Sequence, residues 1–151
     1  MTHHVDALVS SMQKTQEWIR DVALELGEES RQHAYAALRA TLHTLRDRLT
    51  LEQSAHFSAQ LPLVLRGTYF EGWKPLQTPL RIRTTDEFLD VMRFHLPDVT
   101  PEAREHCDEA ARAALCVITQ RIDPSIMNKI RDSFPKQLRE LWPNNPAGDP
   151  S

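Results

Sequence analysis

The sequence has few glycines, only two cysteines and no long apolar run. Its four glycines interrupt 151 residues, and they form no glycine-rich loop of the kind that binds a phosphate or a dinucleotide. No segment alternates apolar and polar residues as a half-buried strand does. No stretch approaches the ~20 apolar residues that a membrane span needs, and the first residues lack the basic and apolar regions of a secretion signal. These absences favour a helical protein and predict a cytoplasmic location.

The signatures of catalysis and metal binding are also missing. The histidines include no pair four residues apart, and the sequence has no CxxC motif, so the common patterns of a zinc site are absent. There is no G-x-S-x-G motif to present a nucleophilic serine. We therefore predict no catalytic residue, no metal and no cofactor, and we interpret the chain as a protein that is not an enzyme.

The two cysteines, Cys107 and Cys116, lie nine residues apart in one predicted helix. That spacing separates them by roughly 13 Å along the helix axis, which is beyond the reach of a disulfide. We predict two reduced thiols that act as small apolar groups in the core.

The composition is that of an ordinary globular domain. Hydrophobic residues make up 40% of the chain and charged residues 26%, which excludes intrinsic disorder as the main state. The net charge of −3 gives no basic face for nucleic acid. We expect neither nucleic acid nor a membrane as the partner.

Helical spacing of apolar residues, with caps and prolines at the ends, predicts a chain of helices. Gly27 is placed to end the first of them. Thr50 with Gln53 and Thr84 with Glu87 have the spacing of a capping box at a helix start. The predicted helices cover about residues 4–26, 29–49, 52–60, 62–71, 84–96, 100–122 and a segment from 124 onward.

The strongest signal is an internal repeat. A shift of 73 residues places Ala36–Tyr69 over Glu109–Trp142 without a gap, and eight of the 34 pairs are identical. The identical pairs include Pro62/Pro135 and three arginine pairs. Upstream, a shift of 70 places the Trp18 helix over the Phe88 helix. Caps, prolines and apolar positions match together, so we interpret the chain as a tandem duplication.

The predicted fold is all-α: a two-lobed helical bundle built from a tandem duplicated unit of about four helices, related by a pseudo-twofold axis. Each unit has too little core to be stable alone, so the two should pack against each other. We predict one domain over residues 1–142, with repeat unit one at about 4–70, a connector at 71–83 and repeat unit two at about 84–142. Residues 143–151, rich in proline and asparagine, are expected to be a flexible tail.

Two segments resemble a known family. Leu61–Trp73, with the sequence LPLVLRGTYFEGW, and Phe134–Pro143, with the sequence FPKQLRELWP, are similar to the characteristic motifs of the bacterial domain of unknown function 2267. The resemblance extends over roughly residues 4–143. It implies an all-helical fold with a duplicated unit, and it implies no activity and no catalytic residues.

The three arginine pairs of the repeat have two interpretations: Arg39/Arg112, Arg48/Arg121 and Arg66/Arg139. In the first, each arginine ties a helix end to a carboxylate or a carbonyl and is structural. In the second, the pseudo-symmetry brings some of them together to bind an anion or an acidic partner.

An aromatic cluster, Tyr69-Phe70 followed by Trp73, adjoins the connector and has no counterpart after Trp142. It either covers the core under a long loop or offers an exposed anchor for another protein. We predict a non-catalytic protein–protein interaction or adaptor module, which binds another protein or a second copy of itself through residues 69–83. The alternative is a regulatory protein that binds an anionic small molecule between the lobes. The candidate partner-binding residues are Arg66, Tyr69, Phe70, Trp73 and Arg139.

Overall fold

The computed structural model describes residues 5–97 and 105–143, and in these ranges the chain is all-helical without a strand. The α-helices are α1 Asp6–Leu26, α2 Arg31–Arg48, α3 Leu51–Ser58, α4 Leu63–Phe70, α5 Thr85–His95, α6 Cys107–Arg121 and α7 Pro124–Asp132. Two 3-10 helices cover Pro75–Gln77 and Lys136–Leu141. The predicted all-α class is confirmed.

Most helix ends lie where local sequence signals place them. Gly27 ends α1 in the left-handed conformation, with φ of 65°, which glycine adopts without steric cost. Thr50 begins α3 with a capping box in which Thr50 and Gln53 each bind the other's backbone N–H. Thr84 accepts a hydrogen bond from the Glu87 N–H at the start of α5. Asp123 caps α7, whose first residue is a proline.

The second half of the chain ends differently from the first. Where the repeat predicts an α-helix like α4, the structure has the 3-10 helix Lys136–Leu141. Pro143 disfavours helical backbone at the residue before it, and Trp142 is extended, with ψ of 149°. Only six residues therefore remain between the turn at Pro135 and this stop. The predicted helix start at Thr100 and the tail from residue 144 lie outside the described residues.

Helix α2 is the centre of the fold. It packs against α1, α4, α5 and α6, and 10 of its 18 residues are buried. Its apolar side chains meet those of the surrounding helices in one continuous core. Because α2 is so extensively buried, several of its polar side chains are buried too, among them His43 and Arg46.

The two cysteines are free thiols. Cys107 is buried and Cys116 is half-buried, and burial raises the pKa of the Cys107 thiol to about 11. A thiol with a raised pKa is a poor nucleophile. Within residues 5–97 and 105–143, no helix is long and apolar enough to cross a membrane.

Candidate functional site

The connector between the two halves is tied to the C-terminal end of α2. It begins after α4, where Gly72 takes a positive φ of 73°, and continues through the 3-10 helix Pro75–Gln77. The Leu80 N–H donates to the Asp47 carbonyl oxygen at 2.6 Å. Ile82 is buried, and its carbonyl oxygen accepts a hydrogen bond from the Arg48 Nε at 3.0 Å. The connector therefore lies on the body of the protein.

A polar stripe on α2 holds the start of the connector. Arg46 is buried, with 3% of its surface exposed. Its Nη1 donates to the carbonyl oxygens of Tyr69 at 3.3 Å and Glu71 at 2.7 Å. Its Nη2 lies 3.0 Å from Asp47 Oδ1. The guanidinium thus joins α2 to the end of α4 and the first residue after it.

Asp47 also binds the last residue of α5. Its Oδ2 lies 2.6 Å from His95 Nε2, and both side chains are largely buried. Although burial opposes ionisation of Asp47, its hydrogen bond to His95 and the charge of Arg46 hold the pKa of this carboxyl below its ordinary value. One carboxylate therefore fastens α5 and the α2 guanidinium at the same point.

His43 and Arg39 continue the stripe about one and two turns earlier on α2. Arg39 donates to Glu71 Oε1 through Nη2 at 2.8 Å and through Nε at 3.0 Å. His43 Nε2 lies 2.7 Å from the Thr68 carbonyl oxygen. A carbonyl can only accept, so Nε2 carries the proton. The His43 ring packs edge-on against the His95 ring, with centroids 5.2 Å apart.

An open groove of about 330 Å³ lies between the connector and α5. We call it the connector groove. The polar part of its lining includes Arg46, Asp47 and His95, together with Lys74 from the connector. The apolar part comes from Leu80, Val91 and Phe94.

Two large apolar side chains stand out at this groove. Phe94 on α5 lines it and is 82% exposed, and Leu76, the neighbour of the lining residue Gln77, is fully exposed. Single exposed apolar residues are common, but several around a groove are typical of a binding surface. The polar network beneath them fixes the backbone on both sides of the groove. The arrangement can therefore bind apolar side chains on a rigid base.

The three candidate aromatic residues form a ladder from the core to the connector. Tyr69 is fully buried, and its hydroxyl is 2.8 Å from Ser54 Oγ. Phe70 is half-buried against the core, and its ring lies 5.2 Å from that of Trp73. Trp73 is itself half-buried, and its indole N–H has no hydrogen-bond partner among the described residues. This placement matches the core-covering interpretation, and Tyr69 is not at the surface.

The two candidate arginines bind carbonyl oxygens in the same way in the two halves. The Arg66 Nη2 donates to the carbonyls of Ala59 and Leu61. Arg139 donates to the carbonyl oxygens of Asp132 and Phe134. These two residues correspond to Ala59 and Leu61 at the shift of 73. Each guanidinium closes the turn after a short helix, α3 or α7, and it is occupied there. Neither arginine is brought to the connector groove.

We expect that Arg66→Ala and Arg139→Ala will each lower the free energy of unfolding by about 1 kcal/mol or more, because each leaves two or three carbonyl oxygens without a charged donor. Thermal denaturation of each purified variant measures the loss. Lysine at the same positions keeps the charge but loses the planar fork, so Arg66→Lys and Arg139→Lys should recover only part of the stability. Unchanged melting temperatures in both alanine variants would contradict a structural role.

Sequence reasoning named the region of residues 69–83 but missed the residues outside it that complete the groove. These include Val91 and Phe94 of α5 and the Asp47–His95 pair, which joins residues far apart in the chain. Within the part of the chain that the structure describes, no group of three or more His, Cys, Asp or Glu side chains is placed to hold a metal ion.

Comparison with known proteins adds a family and no activity. A family model described as "Uncharacterized conserved protein (DUF2267)" matches residues 15–141. No curated protein matches the chain.

Proposed function

The chain belongs to the DUF2267 family of uncharacterised conserved proteins, and on that premise we propose that it is a cytoplasmic, non-catalytic interaction module that binds another protein in the connector groove. The observation that carries the proposal is the exposure of Phe94 and Leu76 beside this groove. A few side chains near the centre of an interface contribute most of its binding energy, and exposed apolar residues around a groove are typical of such a surface. The fixed polar base means that little backbone ordering is needed on binding, which favours affinity.

The charge of the connector indicates the kind of partner. The connector's first residue, Glu71, is paired with Arg39, and the rest of the connector, residues 72–83, contains Lys74, Arg81 and Arg83 and no acidic residue, although the whole chain has a net charge of −3. In the groove itself, Arg46 and His95 are already paired with Asp47, which leaves Lys74 as an exposed positive charge. We therefore propose that the partner is a segment that carries both apolar and acidic side chains.

The same charges argue against self-association through this surface. In a twofold dimer the same surface patch meets itself. Two connectors would then bring Lys74, Arg81 and Arg83 of one copy towards the same residues of the other. Like charges placed together destabilise an interface. A different protein is therefore favoured over a second copy.

The Asp47–His95 pair is the arrangement in the described residues that most resembles an acid–base dyad. Its geometry favours a structural role, since His95 Nε2 is bound to Asp47 and Asp47 is shared with Arg46. No serine or cysteine lines the groove beside the imidazole. We propose that the pair fixes α5 against α2 and carries out no chemistry.

We also propose that the fold arose by tandem duplication, with a connector that has acquired the binding role. The matching carbonyl contacts of Arg66 and Arg139 support this origin. The polar stripe supports the specialisation, because most of it is not repeated: His43, Arg46 and Asp47 correspond to Cys116, Thr119 and Gln120 at the shift of 73, and only Arg39 is matched, by Arg112.

A displayed peptide library tests the proposal and does not require the partner to be identified first. We expect the wild-type protein to enrich peptides in which Asp or Glu lies beside Leu, Ile or Phe, with binding that weakens as salt rises. The double variant Leu76→Ala/Phe94→Ala should bind the enriched peptides at least about tenfold more weakly, since loss of a hot-spot side chain costs more than 1 kcal/mol. Isothermal titration with the best peptide gives the affinities.

The matched control removes two exposed leucines elsewhere, in the variant Leu24→Ala/Leu51→Ala, which should bind the peptides like the wild type. Both double variants should fold normally because all four side chains are exposed. Enrichment of basic peptides, or equal binding by the groove variant and the control, would contradict the proposal.

A further inference from the structure

A second open pocket, of about 300 Å³, lies on the other side of Leu80 from the connector groove. We call it the arginine pocket. Its side-chain lining includes Arg81 and Arg83 from the connector, Thr50 and Gln53 from the start of α3, and Arg48 from the end of α2. The remaining lining residues are neutral, so the pocket has three arginines and no carboxylate. Such a concentration of one sign is unexpected in a chain with a net charge of −3.

Arg81 and Arg83 lie on either side of an anchored residue. Ile82 is 3% exposed and packs in the core, while the two arginines are exposed. The Ile82 N–H donates to the Leu80 carbonyl oxygen at 3.1 Å, which closes a γ-turn at Arg81. Both arginines line the arginine pocket.

This segment is fixed in place from both ends. The Leu80 N–H donates to the Asp47 carbonyl oxygen, and the Ile82 carbonyl accepts from Arg48 Nε. Arg48 also packs its guanidinium over the Phe134 ring, 4.1 Å from the centroid. Arg48 thus has a structural role in the pocket lining, and its charge adds to that of Arg81 and Arg83.

Arg81 and Arg83 differ from the arginines of the repeat because their guanidinium groups have no partner among the described residues. Arg39, Arg66, Arg121 and Arg139 all bind carboxylates or carbonyls of their own chain. Arg81 and Arg83 make no hydrogen bond or ion pair with the described residues. Each can therefore offer its whole planar fork to a ligand.

The start of α3 supplies neutral donors to the pocket. In the capping box, Thr50 Oγ1 accepts from the Gln53 N–H, and Gln53 Oε1 accepts from the Thr50 N–H. Both side chains are therefore held in place by their acceptor atoms. The Thr50 hydroxyl hydrogen and the Gln53 amide hydrogens have no acceptor among the described residues. They can donate to a ligand in the pocket.

We propose that the arginine pocket binds a phosphoryl group through Arg81, Arg83, Thr50 and Gln53. Guanidinium groups bind the oxygens of phosphate in pairs, through two parallel N–H donors. Hydroxyl and amide donors from Thr50 and Gln53, which line the same pocket, complete the contacts to a tetrahedral anion with several acceptor oxygens. The volume is at the lower end of small-molecule sites, which fits a phosphate monoester. The ligand is anionic, as in the sequence-based alternative, but its site lies at the connector, and of the six repeat arginines only Arg48 lines it.

Titration of ¹⁵N-labelled protein with inorganic phosphate tests the site, with chloride at the same ionic strength as the reference. We expect saturable shifts of the backbone amides of residues 50–53 and 80–83. The double variant Arg81→Gln/Arg83→Gln should bind phosphate at least about tenfold more weakly, since charged hydrogen bonds are the strong ones. Its melting temperature without phosphate should equal that of the wild type, because both side chains are exposed.

The control Lys14→Gln/Arg31→Gln removes two exposed positive charges elsewhere on the chain and should bind phosphate within about twofold of the wild type. Glycerol phosphate and a phosphoserine peptide, each in competition with phosphate, then show whether a small molecule or a protein side chain is the better carrier of the group. The inference is overturned if the arginine variant and the control bind alike, or if no amide of residues 50–53 or 80–83 shifts.

The arginine pocket and the connector groove can be tested separately. Leu76→Ala/Phe94→Ala leaves every residue of the arginine pocket in place, so this variant should titrate with phosphate as the wild type does. Loss of peptide binding without loss of phosphate binding, and the reverse in the arginine variant, would show two independent sites.

Discussion

The variant Arg46→Ala should lose about 3–5 kcal/mol of its free energy of unfolding, the cost of removing one partner from a buried ion pair. The Arg46 side chain is 4% exposed. Its guanidinium donates to the carbonyl oxygens of Tyr69 and Glu71 and forms an ion pair with Asp47. Alanine fills none of that space and makes none of those bonds. Two carbonyl oxygens and one carboxylate would remain in a poorly solvated site.

The loss should also be local. Arg46 joins α2 to the residues at which the connector begins, so its removal should let the connector open more often than the rest of the fold. Urea denaturation measures the global loss, and amide hydrogen exchange of residues 71–83 measures the opening. Binding in the connector groove should weaken in the same variant, because Arg46 and Asp47 form part of its base.

Arg39→Ala is the matched control for Arg46→Ala. Arg39 lies on the same stripe of α2 and binds Glu71, but its side chain is 32% exposed and that of Glu71 is 61% exposed. An exposed pair of this kind contributes about 0–1 kcal/mol. If Arg46→Ala and Arg39→Ala lose the same small amount, burial of the Arg46 network does not have the energetic role proposed for it.

The helices could be predicted from the sequence because their ends are determined locally. Gly27 ends α1, and Thr50 begins α3, through backbone geometry and hydrogen bonds within a few residues. The end of the second half was predicted wrongly because a neighbouring proline overrides the repeat. Leu138 and Leu141 are buried as the pattern requires, but Pro143 leaves no room for an α-helical turn beyond them.

The site could not be predicted because it depends on contacts between distant residues. Asp47 and His95 are 48 residues apart, and only the packing of α5 on α2 brings them together. Phe94 is exposed because α5 packs other apolar side chains, Phe88, Leu89 and Met92, into the core. One signal was present in the repeat: Arg46 and Asp47 are charged where the second copy has Thr119 and Gln120. This signal is partial, because Arg39 and Arg48 also bind the connector and are matched by Arg112 and Arg121.

Acidification from pH 7 to pH 4 should destabilise the protein through His43 by up to about 3 kcal/mol, from the conversion of a pKa difference into free energy. Burial of the ring lowers the pKa of His43 from 6.5 to about 4, and the charges of Arg46, Arg39 and His95 act in the same direction. The folded protein therefore keeps His43 neutral. The unfolded chain takes up a proton there at a pH where the folded chain does not.

The sign and the pH window follow from this difference. The stability associated with neutral His43 is complete above pH 6.5 and is lost as the pH falls towards 4, at up to about 1.4 kcal/mol per pH unit. Asp47 acts in a lower window, because its pKa is held below the ordinary value of 3.8. Its contribution is lost only as the pH falls further. The charges of Arg46, Arg39 and His95 also act on His43.

The variant His43→Gln separates this effect from general acid denaturation. Glutamine can still donate to the Thr68 carbonyl, which accepts from His43 in the wild type, but it does not titrate. Its free energy of unfolding, measured in urea at intervals from pH 7 to pH 4, should show a markedly smaller slope than that of the wild type. His56→Gln, which removes an exposed histidine from α3, should keep the wild-type slope. If His43→Gln retains that slope as well, another group controls the acid response, and the network around His43 has no part in it.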